Sequence, residues 1–161
     1  MIFVSVGTNE ARFDRLLGAV GALSIDEAIV VQHGHSSATL APGAEVVDFL
    51  PFEEMNTTIR RARAFVTHAG VGSIMVALAN EKKPIVVPRR KAFGEAVDDH
   101  QLQLGRRFAE AGLVTLVEDP DGLGEALAQE QVRAAVAQEA SPLAAELLRF
   151  LEHAIASPVP A

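Results

Sequence analysis

The sequence predicts an α/β fold, a single Rossmann-like domain on a doubly wound parallel sheet. Three observations predict it. Short apolar runs alternate with stretches of helical periodicity, which implies parallel βαβ units. One apolar run, Ala64-Phe65-Val66, ends in a glycine turn, Thr67-His68-Ala69-Gly70-Val71-Gly72-Ser73, that opens onto a helix. No internal repeat, low-complexity segment or linker interrupts the 161 residues, a length that suits one domain with a substantial core. The domain is expected to run from 1 to 156, with 157–161 as a frayed tail.

The elements follow in order. Ile2–Val6 reads as a strand. Ala11–Leu23 carries Phe13, Leu16, Leu17 and Val20 at helical spacing. Ala28–Gln32 is a strand, Ser36–Gly43 a polar loop, and Val46–Leu50 a short strand stopped by Pro51. Phe52–Ala62 is a helix with Glu53 and Glu54 in its first turn and Arg60 and Arg61 in its last, matching the helix dipole. Phe65–Thr67 is a strand, Ser73–Asn80 a helix, and Ile85–Val87 a strand between two prolines. Asp98–Ala111 is a helix ended by Gly112, and Leu113–Val117 a strand. Pro120–Gln129 and Pro142–Ile155 are helices opened by proline.

Composition narrows the classes. Hydrophobic content of 49% and a mean hydropathy of +0.22 predict a folded chain. Without cysteine, disulfides and cysteine-based metal sites are excluded. Met1-Ile2-Phe3-Val4 runs straight into a strand pattern, unlike a signal peptide, and no apolar stretch approaches the roughly 20 residues that span a bilayer. A cytoplasmic location is expected. The net charge is −7, unevenly placed. Residues 60–107 hold ten basic and four acidic residues, a balance of +6, which leaves −13 for the rest. Nucleic acid is the obvious rival for a basic patch. The acidic total, the 5% aromatic content and the lack of Trp and Tyr argue against it. An anionic small ligand or an anionic membrane surface fits better.

The glycine turn gives that ligand a place. Gly70 and Gly72 allow close backbone approach, and the first N–H groups of the next helix are unpaired and favour an anion. Ser73 adds a hydroxyl donor. An ordinary βα connection satisfies the same pattern. His68 sits at the carboxyl end of a strand, where open α/β sheets bind ligands. Dinucleotide and P-loop chemistry are disfavoured. Neither a third glycine after Gly72 nor a Walker lysine follows, and Gly7-Thr8-Asn9 after the first strand carries no G-x-G-x-x-G.

Three blocks resemble a known family: His68 to Ser73, then Pro84-Ile85-Val86-Val87-Pro88-Arg89-Arg90-Lys91-Ala92-Phe93-Gly94-Glu95, then Asp99-His100-Gln101. They resemble the C-terminal domain of family 28 glycosyltransferases. Phe3 to Asn9 and Asp48 to Phe52 share the likeness, which covers about residues 1–130. It is closest to the short catalytic partners of two-component exopolysaccharide and capsule transferases. These are similar to the soluble subunit of the dolichol-linked N-acetylglucosaminyltransferase. The resemblance implies the C-terminal, donor-binding half of a GT-B fold with a UDP-sugar as ligand, needing no cofactor and no metal.

Carried over by position, Gly70, Gly72 and Ser73 would hold the diphosphate, and Gly7, Thr8 and Asn9 would approach it. Phe49, Leu50 and Phe52 would border the uracil. His100 and Gln101 would bond sugar hydroxyls, with Asp99 shaping that loop. The family's lipid-intermediate peptidoglycan transferase has a ribose-binding glutamate where this chain has Ala77, which turns attention to Glu95. The resemblance further implies a membrane-anchored partner subunit, a lipid-linked acceptor and recruitment to the inner face of the membrane. The general base would come from that partner, with His68 the local candidate. Leu143, Leu147 and Leu151, with Leu148 and Ile155 beside them, offer either core packing or a docking stripe. Two other readings remain: a non-catalytic UDP-sugar-binding module that regulates or scaffolds a partner, and an epimerase-like or hydrolytic enzyme acting alone.

Overall fold

The computed structural model describes residues 1–37 and 43–129. Residues 38–42 of the polar loop, the proline-opened helix from 142 with its leucine stripe, and the tail lie outside the described residues.

Six parallel strands form one sheet in the order β3-β2-β1-β4-β5-β6. They are β1 (Ile2–Ser5), β2 (Ile29–Gln32), β3 (Glu45–Val47), β4 (Ala64–His68), β5 (Ile85–Val87) and β6 (Thr115–Leu116). The helices are α1 (Asp14–Gly21), α2 (Phe52–Arg61), α3 (Val71–Ala79), α4 (His100–Glu110) and α5 (Leu123–Ala128). The chain builds outward from β1 to β3, then returns to the other side of β1 with β4 and builds outward again. That is the doubly wound arrangement, with its switch point between β1 and β4.

The period-two alternation of a strand sorts side chains to two faces. Ile2, Val4, Ala64 and Val66 join Leu16, Leu17 and Val20 of α1 and Leu123, Ala126 and Leu127 of α5. The alternate residues Phe3 and Phe65 stack at 5.2 Å and pack with Ile59 of α2 and Ala77 of α3. Ile74, Met75 and Leu78 of α3 meet Val86 of β5 and Phe108 of α4 in a third cluster. Both faces of the sheet are therefore covered, which is why its strands read as nearly continuous apolar runs.

Several boundaries moved for local reasons. Helix α1 begins at Asp14 rather than Ala11, because residues 9–13 are held as a loop. Asn9 Oδ1 accepts from the Ala11 N–H at 2.8 Å, and Ser36 Oγ from the Phe13 N–H at 2.8 Å. Strand β3 is Glu45–Val47 rather than Val46–Leu50. Past Val47 the chain turns off the ladder, and the Leu50 N–H is taken by the Gln32 side chain at 3.1 Å. Strand β6 keeps only Thr115 and Leu116 of the expected Leu113–Val117. The helix expected from Pro120 splits into a 3₁₀ turn, Pro120–Gly122, and α5, with Asp119 accepting from the Asp121 N–H. Helix α3 opens two residues earlier than expected, at Val71. Gly112 follows α4 with φ +75°, as its position after the helix predicted.

Candidate functional site

The carboxyl ends of β1 and β4 part at the switch point, and a cleft of about 350 Å³ opens there. Ser5, Gly7, Thr8 and Asn9 line it from β1 and the following loop. Gln32 of β2 and Met55 of α2 close one side, and His68, Gly72 and Ser73 the other. Of the predicted residues, Gly7, Thr8, Asn9, His68, Gly72 and Ser73 are thus brought together. Ser5, Gln32 and Met55 were not anticipated. A polar residue ending each of two buried strands was the available signal, since Ser5 and Gln32 are both buried. Gln32 Nε2 donates to Ser5 Oγ at 3.2 Å, which fixes that floor.

Helix α3 points its N-terminus at the cleft. Gly70 caps it in extended conformation, and no side chain caps its first N–H groups. A Cβ at Gly72 would meet nothing within 4 Å, so open space lies beside the first turn. Gly70 and Gly7 are different. A Cβ at Gly70 would fall 2.1 Å from His68 Cε1, and one at Gly7 2.3 Å from His68 Nε2. The close approach these two glycines permit is to the imidazole of the same chain.

His68 is held between them. Its Nε2 lies 3.1 Å from Ser73 Oγ, and its Nδ1 3.4 Å from Gln101 Nε2. Burial, and after it the nearby charge of Arg89, push its pKa down to about 4, so the ring is neutral at physiological pH. Both ring nitrogens are engaged by neighbours. These surroundings suit a ring that orients Ser73 and leave it no free lone pair for the base role expected of it.

The third block folds around the first. Gln101 Oε1 accepts from the Arg89 N–H at 3.1 Å. Asp99 Oδ1 accepts from the Lys91 N–H and from Arg90 Nε. His100 opens α4, and its N–H donates to Asp98. Asp99 and His100 do not line the cleft itself. Glu95 is corrected. It is 3% exposed, and both its oxygens are taken, by Arg15 at 2.9 Å and by the Arg90 N–H at 2.9 Å. It anchors a loop and offers nothing to a ribose. Phe49, on the β3–α2 connection, and Phe52, which opens α2, are exposed, with Phe49 edge-on to His35. The Leu50 N–H is tied to Gln32, which lines the cleft, but Phe49, Leu50 and Phe52 do not line it themselves.

The basic patch is also redistributed. Arg89 is wholly buried, donating to the carbonyls of Val6, Ala11, Arg12 and Glu95, with its guanidinium 4.7 Å from the Phe13 ring centre. Its Nε has no partner among the described residues. Arg63 pairs with Glu27, Arg106 with Glu118, and Arg90 with Asp99. Four of the ten basic residues of the patch are thus occupied within the fold.

Comparison with known proteins identifies the family and the fold. Residues 1–153 match the family described as glycosyltransferase family 28 C-terminal domain. The UDP-N-acetylglucosamine transferase subunit ALG13 of Eremothecium gossypii is 35% identical over 122 residues, covering 74% of this chain. The chain spans 58% of that relative's length. Among solved structures, the glycosyltransferase SnogD of Streptomyces nogalater superposes with a TM-score of 0.61 at 18% identity, covering 98% of this chain and 40% of SnogD. MurG of Acinetobacter baumannii gives a TM-score of 0.56 at 19% identity, covering 93% of this chain and 48% of MurG. These likenesses show the fold.

Proposed function

The chain belongs to the glycosyltransferase family 28 C-terminal domains, and on that premise we propose that it is the donor-binding subunit of a UDP-sugar-dependent transferase. It would pass a hexose to a lipid-linked acceptor in cell-surface or exopolysaccharide synthesis. The observation that carries this is the uncapped N-terminus of α3 opening on the cleft, with space beside Gly72 and the Ser73 hydroxyl next to it. A diphosphate suits such a place. Negative charge grows on the departing UDP in the transition state, and preorganised N–H donors at a helix end stabilise it without reorganising.

In this reading Gly70, Gly72 and Ser73 present donors to the diphosphate, and Gly7, Thr8 and Asn9 close over it from the β1 loop. Phe49, Leu50 and Phe52 border the uracil. His100, with the remaining amide hydrogen of Gln101, faces the sugar from α4. The UDP-sugar is a substrate, so no cofactor or metal is invoked. His68 is neutral and engaged, so the base that activates the acceptor comes from a membrane-anchored partner subunit. The similarity to a protein named as a transferase subunit supports that partner. In this reading the partner's anchor recruits the chain to the cytoplasmic face; no helix among the described residues is long and apolar enough to cross a membrane.

Calorimetry with UDP tests the diphosphate site. Gly72→Asp should weaken binding at least tenfold, because it sets a carboxylate against the phosphates in space that is otherwise open. Unchanged affinity would remove the assignment. Transfer is tested by co-expressing the chain with a membrane protein encoded beside it and supplying UDP-hexoses and polyprenyl-diphosphate acceptors. Tight UDP-sugar binding without transfer in the complex would leave the regulatory module as the function.

A further inference from the structure

The hydrogen bonds behind the cleft form a chain that runs in one direction. The Arg89 backbone N–H can only donate, so the Gln101 atom meeting it at 3.1 Å is the amide oxygen. The other end of that amide, 3.4 Å from His68 Nδ1, is then the NH₂ group, a donor. A donor at Nδ1 requires a lone pair there, so the neutral imidazole carries its proton on Nε2. Nε2–H lies 3.1 Å from Ser73 Oγ and donates to it. The Ser73 side chain has no other hydrogen-bond partner among the described residues, and Ser73 lines the cleft. Its hydroxyl proton is therefore free to point outward.

The chain begins at a fixed point and passes through a fixed ring. The Arg89 guanidinium is buried on the carbonyls of Val6 and Ala11, which immobilises the backbone that starts the sequence of bonds. Gly7 and Gly70 clasp the imidazole from two sides, so it cannot swing away from Ser73.

We propose that Gln101 is a positioning residue: held by the Arg89 N–H, it sets the His68 tautomer so that Ser73 offers its hydroxyl proton to an anionic phosphoryl oxygen in the cleft. The identity of the anion rests on the function proposed above; the tautomer does not. Gln101 thus acts on the phosphates at one remove, a role separate from touching sugar hydroxyls. Without the amide at Nδ1 the imidazole is free to move its proton there. Nε2 then becomes an acceptor, and Ser73 turns its proton inward, leaving a lone pair facing the anion.

The test uses the ligand-free chain carrying ¹⁵N-histidine, whose long-range ¹H–¹⁵N imidazole spectra read the tautomer. His68 is identified by the signals lost in His68→Asn. The wild type should show the Nε2–H form. Gln101→Met should populate the Nδ1–H form, and Gln101→Glu, which keeps an acceptor for Arg89, should place a proton on Nδ1. A wild-type His68 in the Nδ1–H form, or a tautomer unmoved by both variants, overturns the proposal. Calorimetry with UDP then closes a cycle. Gln101→Met and Ser73→Ala should each weaken binding roughly tenfold, and the double variant no further than Ser73→Ala alone. Additive losses would overturn the relay. A wild type that binds no UDP would overturn the nucleotide reading, while the spectra still decide the tautomer.

Discussion

Gly70 and Gly72 stand two residues apart and serve opposite needs. The space a side chain would take at Gly70 is already filled by the His68 ring, whereas the space at Gly72 is open. Gly70→Ala should therefore cost about 2 kcal/mol, the usual scale of overpacking, because the ring is also in close contact with Gly7 and has little room to move. Gly72→Ala should be neutral or add about 0.5–1 kcal/mol, since it replaces glycine in the first turn of a helix without a clash. Urea unfolding of the two variants checks this, and equal effects would refute the distinction. The sequence showed both glycines as one motif with one purpose. It could not show that a side chain two residues before Gly70 folds back over the turn.

Among elements, the loop between β1 and α1 is shaped by a residue far away in the chain. Arg89 reaches the Ala11 carbonyl across 78 positions and also holds Val6, where β1 ends. Periodicity correctly placed Leu16, Leu17 and Val20 on the inward face of α1, while Phe13 is buried from the loop just before it. It carried no information that the carbonyls of Ala11 and Arg12 are taken by an arginine. The Arg89-Arg90-Lys91 run read as part of a basic patch facing an anionic ligand, yet its first member is the largest fully buried side chain among the described residues. Arg89→Met should cost about 3 kcal/mol or more, because it strands several buried carbonyls at once. Thermal unfolding measures it, and a loss below about 1 kcal/mol would contradict the tie between the loops. The doubly wound parallel sheet was legible because most of its strands are short apolar runs followed by a helix. The exact ends were not, because side-chain acceptors such as Asn9, Ser36 and Gln32 decide them.

At the scale of the whole molecule, the site imposes a pH dependence on stability. His68 is held down from the ordinary 6.5 to about 4, so the folded chain resists a proton that the unfolded chain accepts. The unfolded state then binds more protons between those values, and stability falls as pH drops from about 6.5 to about 4, by roughly 3 kcal/mol in total. Glu27 extends the loss. Its hydrogen bond to Arg63 holds it down to about 2, so its contribution is complete above its ordinary 4.5 and disappears as pH falls toward 2. Denaturant titrations across pH should show a shallower slope between pH 6.5 and 4 for His68→Asn than for the wild type. Identical slopes would refute the assignment. The strand order carries a separate consequence, for the time course of folding. The central strand is the first one synthesised. Ile2 pairs with Ile29 on one side, but on the other it waits for Ala64. Until the fourth strand leaves the ribosome, β1 has an open edge of apolar residues. A nascent chain halted before Ala64 should accordingly be sensitive to protease and bound by chaperones, and one halted well beyond β5 should be protected.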